Sequence, residues 1–280
     1  MTGRPTALGL GLGLALASLI LAGAGSTPAA AQASATARPG SELRIDADQG
    51  LEWQRREKVV IARGNARAVR GDLEVQAQAL RALYRDGPDG KAEIYRVIAN
   101  GSVRIATPNQ TAFGQHATFD VPRDHLLLTG GERVRLESGA DSISGERSLE
   151  YWPRSDRLVA RGNAIAIQPN REVHGETITA YFAEGPDGNK QLDRAEAVGN
   201  VKVVTAEETI FGDRSNYDAK TGMANVEGSV KILRGGDQLD GCRGEIDFNS
   251  GVSRLFACER PQSPEGRVRG RIQLNGGKGD

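Results

Sequence analysis

The pentapeptide ARGNA occurs twice, at Ala62–Ala66 and at Ala160–Ala164, 98 residues apart. The same offset links GPDG at Gly87–Gly90 to Gly185–Gly188, and Phe113-Gly114 to Phe211-Gly212. Ile45, Leu51, Glu52 and Trp53 correspond to Ile143, Leu149, Glu150 and Tyr151, and Phe119-Asp120 corresponds to Tyr217-Asp218. Self-similarity on this scale means one structural unit used twice, so the fold must be one whose unit can follow itself. Extra residues at Gly131–Arg133 interrupt the offset, which falls to 96 between Val134 and Val230.

Within each copy the apolar residues alternate. Leu73, Val75, Ala77 and Ala79 do so strictly, as do Ile94 and Ile98 around Arg96. Val103-Ile105, Val134-Leu136, Ile178-Ala180-Phe182, Val201-Val203 and Val230-Ile232 repeat the pattern. Period two with one apolar face marks half-buried antiparallel strands. Turn signals such as DGPDG and NSG fall at sandwich-like intervals, and 36 glycines with only 5% aromatics suit many strands joined by turns. The residues that follow each Gly-rich pair are Ala66, Val103, Val134, Ala164, Val201 and Val230. Read as strand starts after turns, they imply three strand pairs per copy, stacked in sequence as a quasi-one-dimensional array. In this reading each ARGNA is a turn whose Gly-Asn opens the next strand.

The N-terminus carries Arg4, an uncharged run from Leu8 to about Ala24, and A-x-A sites ending at Ala31 and Ala33. That is the organisation of a secretory signal peptide, expected over 1–33. Uncleaved, the run would be a membrane anchor, but the alternating Gly and Leu of Gly9–Leu14 make a weak helix and the cleavage sites are good. A small-residue linker follows (34–42), then a first unit (43–142) and a second continuous with it (143–258). The last stretch, 259–280, is rich in Pro, Gly and charge and is expected to be a largely disordered tail.

Composition excludes several activities. The 36 basic residues balance 36 acidic ones, leaving no electrostatic footprint for nucleic acid. The histidines His116, His125 and His174 lack paired spacing, and their expected roles are structural. There is no GxSxG, HExxH or CxxC, and no GK[ST] after a glycine loop. Nothing selects a carboxylate pair of glycoside-hydrolase type from the scattered Asp and Glu. The reading is therefore a non-enzyme with no cofactor and no metal.

Cys242 and Cys258 flank a strand–turn–strand pattern, IDFNSGVSRLF. A pivot at Ser250 would set the two cysteines directly opposite, at a spacing a disulfide accepts in an oxidising compartment. A hairpin disulfide is expected, with two free thiols as the alternative.

Alternation also nominates an inward apolar stripe: Leu43, Ile45, Ile105, Phe119, Val121, Ile143, Val203 and Tyr217. These residues could simply fill a sandwich core, or they could line a groove that the many small alanines leave open. Periodicity does not separate the two.

The string IDADQGLEW at Ile45–Trp53, the strand into ARGNA, and LEVQAQALRALY resemble the OstA-like (LptA) family of periplasmic lipopolysaccharide transport proteins. GQHATFD at Gly114–Asp120, LLLTGG at Leu126–Gly131 and SISGERSLEY at Ser142–Tyr151 add to the resemblance, which spans Leu43–Ala160 and reaches Ala257 through the internal copy. It implies an all-β, twisted antiparallel β-jellyroll, open at both ends, whose interior binds the acyl chains of lipid A. It also implies head-to-tail stacking by edge strands into a homo-oligomeric bridge across the periplasm. The partners would be an inner-membrane ABC-transporter complex with its anchored periplasmic subunit, and an outer-membrane lipopolysaccharide inserter. Alternatives from other classes are an exported β-sandwich enzyme acting on polysaccharide and a structural, self-assembling envelope protein.

Overall fold

The computed structural model describes residues 43–87, 90–186, 188–258 and 267–273. The expected signal peptide and linker lie outside the described residues. Among those described there is no α-helix, and every pairing given below is antiparallel. Backbone contacts divide the chain into two units. One takes the described residues of 43–139, 146–158 and 181–192, the other those of 140–145, 159–180 and 193–273.

The first unit begins with two short strands, β1 (Arg44–Asp46) and β2 (Gly50–Gln54), which both pair with β3 (Val59–Arg70). Long strands then follow by simple up-and-down connection: β4 (Leu73–Asp86), β5 (Ala92–Thr107) and β6 (Gln110–Asp120). The next layer is divided. β7 (His125–Thr129) and β8 (Val134–Ser138) each pair with a different half of β6. In the second unit β9 (Asp141–Gly145) pairs with Ile165–Ile167 of β11 (Arg157–Gln168), whereas β10 (Ser148–Trp152) belongs to the first unit and pairs there with β7. The strands β12 (Arg171–Glu184), β13 (Lys190–Thr205), β14 (Thr209–Asp218), β15 (Met223–Arg234) and β16 (Asp237–Asp247) continue the order. Two short strands end it, β17 (Val252–Phe256) and β18 (Arg269–Arg271), both on β16.

The Gly-Asn pairs are not turns between strands. Gly64 (φ +77°) and Asn65 (φ +43°) lie in the middle of β3, where the register with β4 shifts between Arg63 and Ala66. Gly101-Ser102 does the same inside β5, Gly199-Asn200 inside β13 and Gly228-Ser229 inside β15, each pair with two successive positive φ values. Two consecutive left-handed residues insert an irregularity that bends the strand without ending it. Each of these strands therefore has two arms meeting at a corner. Locally, a turn and a bent bulge ask for the same residues, which is why the pattern alone reads as a strand start. At Gly130–Arg133 the corner is wide enough to separate β7 from β8.

Register turns the alternating residues of the first unit into continuous ladders. One runs Trp53–Val60–Ala82–Val97–Phe119–Leu126–Tyr151. A second runs Leu51–Ala62–Leu80–Ala99–Ala117–Leu128–Leu149 along the same arm. On the other arm the ladder is Ile45–Ala68–Val75–Ile105–Ala112–Leu136. With neighbouring strands about 4.8 Å apart, a seven-rung ladder extends roughly 29 Å. The second unit repeats the device with Val203–Ile210–Ile232–Leu239 and Ala195–Tyr217–Ala224–Ile246.

One expectation needs correction at the C-terminal end. The hairpin β16–β17 pairs Asp247 with Val252 and Arg243 with Phe256, one residue out of the register that a Ser250 pivot gives. Cys242 and Cys258 therefore lie just beyond the last paired rung, offset rather than directly opposed, and are joined there as a disulfide with Cα atoms 5.1 Å apart. Within the segment read as a tail, Arg269–Arg271 pairs with Gln238–Asp240.

Candidate apolar cleft

The first unit opens at its β1–β2 end. Leu43, Ile45, Ala68, Leu73 and Val75 on one arm face Val60, Ala62, Leu80, Ala82, Ile94 and Val97 on the other across an open apolar cleft. All three ladders contribute, so the cleft is the end of the inter-arm interior. Alternation puts the apolar side chains there, and the corner at Gly64 folds the two arms over one another. Leu51 and Trp53 extend the same ladders to the edge, where no further strand covers them, and are 58% and 59% exposed. Trp53 is held edge-on to Tyr84 and donates its indole N–H to the Tyr84 hydroxyl at 2.8 Å. Farther in, Val103, Leu128 and Val134 are at most 1% exposed, so side chains fill the interior beyond β5.

The outer faces of these strands are charged and paired. Glu52 accepts from Arg63 at 2.6 Å, and Glu74 accepts from Arg67. The Gln54 amide, then Arg63, holds the Glu52 carboxyl below the usual carboxylate range, and the Arg67 guanidinium does the same for Glu74. Two arginines also line the cleft. Arg81 is exposed, whereas Arg70, which closes β3, is only 7% exposed.

Of the eight residues nominated from alternation, Leu43 and Ile45 line the cleft. Ile105 and Phe119 lie deeper on its ladders, whereas Val121 falls in the turn after β6, its N–H bonded to the Tyr95 carbonyl at 3.0 Å. Ile143, Val203 and Tyr217 belong to the second unit, where the first two are buried. Tyr217 packs edge-on against Phe248 beneath the guanidinium of Arg171. Sequence reasoning passed over Leu51, Trp53 and Arg70. The Leu51/Trp53 alternation was a usable signal; Arg70, next to a two-residue turn, has the signature of a surface residue.

The remaining polar clusters look structural. His116 Nδ1 is 3.0 Å from Asn100 Oδ1, His125 stacks on Trp152, and His174 pairs with Glu172 at 2.6 Å. Among the described residues no three His, Cys, Asp or Glu are grouped to hold a metal ion.

Residues 44–151, the first copy of the repeat, match the family model described as LptA/(LptD N-terminal domain) LPS transport protein. The match covers 108 of the 280 residues and is a likeness of this segment to that family. No curated protein matches the chain significantly. Among solved structures the chain is similar to LptH of Pseudomonas aeruginosa, described as the LptA-homologous periplasmic component of the conserved lipopolysaccharide transport device. The likeness has 17% identity and a TM-score of 0.41, and covers 48% of this chain and 95% of LptH. The matched segment holds the three ladders of the first unit and, Leu43 apart, the residues that line its cleft.

Proposed function

We propose that the protein is an exported, periplasmic carrier that shields the acyl chains of lipopolysaccharide between its bent strands. The observation that carries this reading is the apolar cleft of the first unit, opening at the edge of a segment that matches a lipopolysaccharide transport family. Moving one methylene into water costs about 0.8 kcal/mol, so a chain of about a dozen carbons costs on the order of 10 kcal/mol unshielded. A dry track removes most of that cost at each step. Leu43, Ile45, Ile105 and Phe119 would contact acyl chains in the first unit, and Ile143, Val203 and Tyr217 in the second.

The bridging role is part of the same proposal. The β1–β2 edge, whose two strands pair with β3, exposes Leu51 and Trp53, while Val268 and Ile272 flank β18, at 44% and 64% exposure. Such edges invite strand addition, which here would join copies head to tail and meet the anchored inner-membrane subunit and the outer-membrane inserter. An ATP-driven inner-membrane complex would supply the energy.

Photo-crosslinking tests the carrier. A photoreactive residue at Ile45 or Phe119 should yield a lipopolysaccharide adduct in cells, and one at the outward Arg67 should not. Normal folding with no adduct from any ladder position would sink the reading. For the bridge, deletion of 43–47 should abolish concentration-dependent assembly, and persistence of assemblies would refute that joint.

A further inference from the structure

Arg70 is a buried cation in an apolar cleft, and among the described residues it forms no hydrogen bond or ion pair. Its outward neighbours are all engaged: Arg67 and Arg104 with Glu74, and Arg63 with Glu52. Strand order places Arg70 opposite Leu73 at the closed end of the β3–β4 hairpin, on the same face as Ala68. Its surroundings in the cleft are Leu43, Leu73 and Val75, none of which offers a side-chain acceptor. A guanidinium largely shielded from water without a counter-charge is unfavourable, and a carboxylate or phosphate at hydrogen-bond distance offsets that cost. Arginine also suits this task by geometry, since its fork takes two oxygens of one planar or tetrahedral anion.

We propose that Arg70 is the headgroup anchor of the cleft, binding the anionic oxygens of an amphiphile whose hydrocarbon chain lies along the ladders beyond it. The occupant is thus an anionic lipid or detergent-like molecule with a phosphate or carboxylate at the root of its chain. This rests on the carrier reading and adds a charge requirement to it. The site would select the anionic end and fix its position at the mouth, leaving the chain to enter first.

The test is calorimetric titration of the purified protein with dodecyl phosphate, with neutral dodecyl maltoside and with inorganic phosphate, each below any micelle concentration. Wild type should bind dodecyl phosphate about tenfold or more tightly than dodecyl maltoside, as expected of a charge-assisted hydrogen bond. Arg70→Gln should abolish that preference while still binding dodecyl maltoside, Arg70→Lys should restore part of it, and Arg63→Gln, outside the cleft on the outward face, should keep it. The preference is a ratio within one protein, so a partial loss of folding does not mimic it. A preference unchanged in Arg70→Gln overturns the anchor and leaves the carrier intact. Equal affinity for inorganic phosphate overturns the amphiphile and makes this a free-anion site. Binding of no amphiphile at all removes the carrier reading itself.

Discussion

Arg171 lays its guanidinium 4.3 Å over the ring of Tyr217, and the same cation lies 4.5 Å over Phe248. Tyr217 stands on the Ala195–Tyr217–Ala224–Ile246 ladder, so a cation lies against an apolar row in the second unit. The side chain of Gln168 accepts from Arg171 Nε at 3.2 Å and keeps the guanidinium oriented. A cation–π contact of this partly covered kind is worth about 1 kcal/mol. In a double-mutant cycle of Arg171→Met and Tyr217→Leu, followed by urea unfolding, the coupling should be about 1 kcal/mol and favourable. A coupling of zero would mean that the two side chains are only neighbours.

The corners make a second prediction, about shape. A Cβ on Gly101 would meet the Gln78 side chain at 2.5 Å and would also require φ +80°, whereas at Gly90, with φ +71°, it would meet nothing within 4 Å. Both substitutions carry the left-handed penalty of roughly 1 kcal/mol, and only Gly101→Ala adds a collision at the bend. Gly101→Ala should therefore lower the melting temperature clearly more than Gly90→Ala. Equal losses would show that the corner tolerates a side chain and that its bend has another origin.

The disulfide makes a local prediction. Cys242 and Cys258 close a loop with a sequence separation of 16, for which the chain-entropy argument gives about 3 kcal/mol. Cys258→Ser should lower amide protection in β17 while leaving β3–β6 of the first unit at wild-type protection. Loss of protection throughout the first unit as well would contradict a purely local role.

Acid should act through Asp120. Its carboxyl is held below the usual range, first by the hydrogen bond from Arg96 and further by Arg123. A carboxyl whose folded pKa is depressed stabilises the fold above its unfolded pKa, and that contribution is lost as pH falls through the folded pKa. Asp120→Asn should thus lower the melting temperature at pH 7, and the gap from wild type should close as the pH drops below about 4. A gap that stays constant into acid would mean that the carboxylate charge does not stabilise the fold.

The ladders show how far alternation carries. Ile45, Ile105, Phe119 and Val203 were legible because a strand exposes the same face every second residue, and no tertiary information is needed to count to two. Val121 was misplaced because the count ran past the end of β6 into its turn. The cysteine register failed for a related reason, since a hairpin pivot one half-residue off shifts every pair along the strands.

The sequence by itself determined that the chain is all-β, duplicated, and lined by alternating apolar residues, because period two and self-similarity are written in local order. Only the tertiary structure decided that Gly64-Asn65 and its relatives are corners inside strands. Two left-handed residues serve a turn and a bulge equally, and long-range pairing alone tells which it is. The tertiary structure likewise decided that Arg70 is buried. A charged residue beside a tight turn normally lies in water, and here two folded arms close over it.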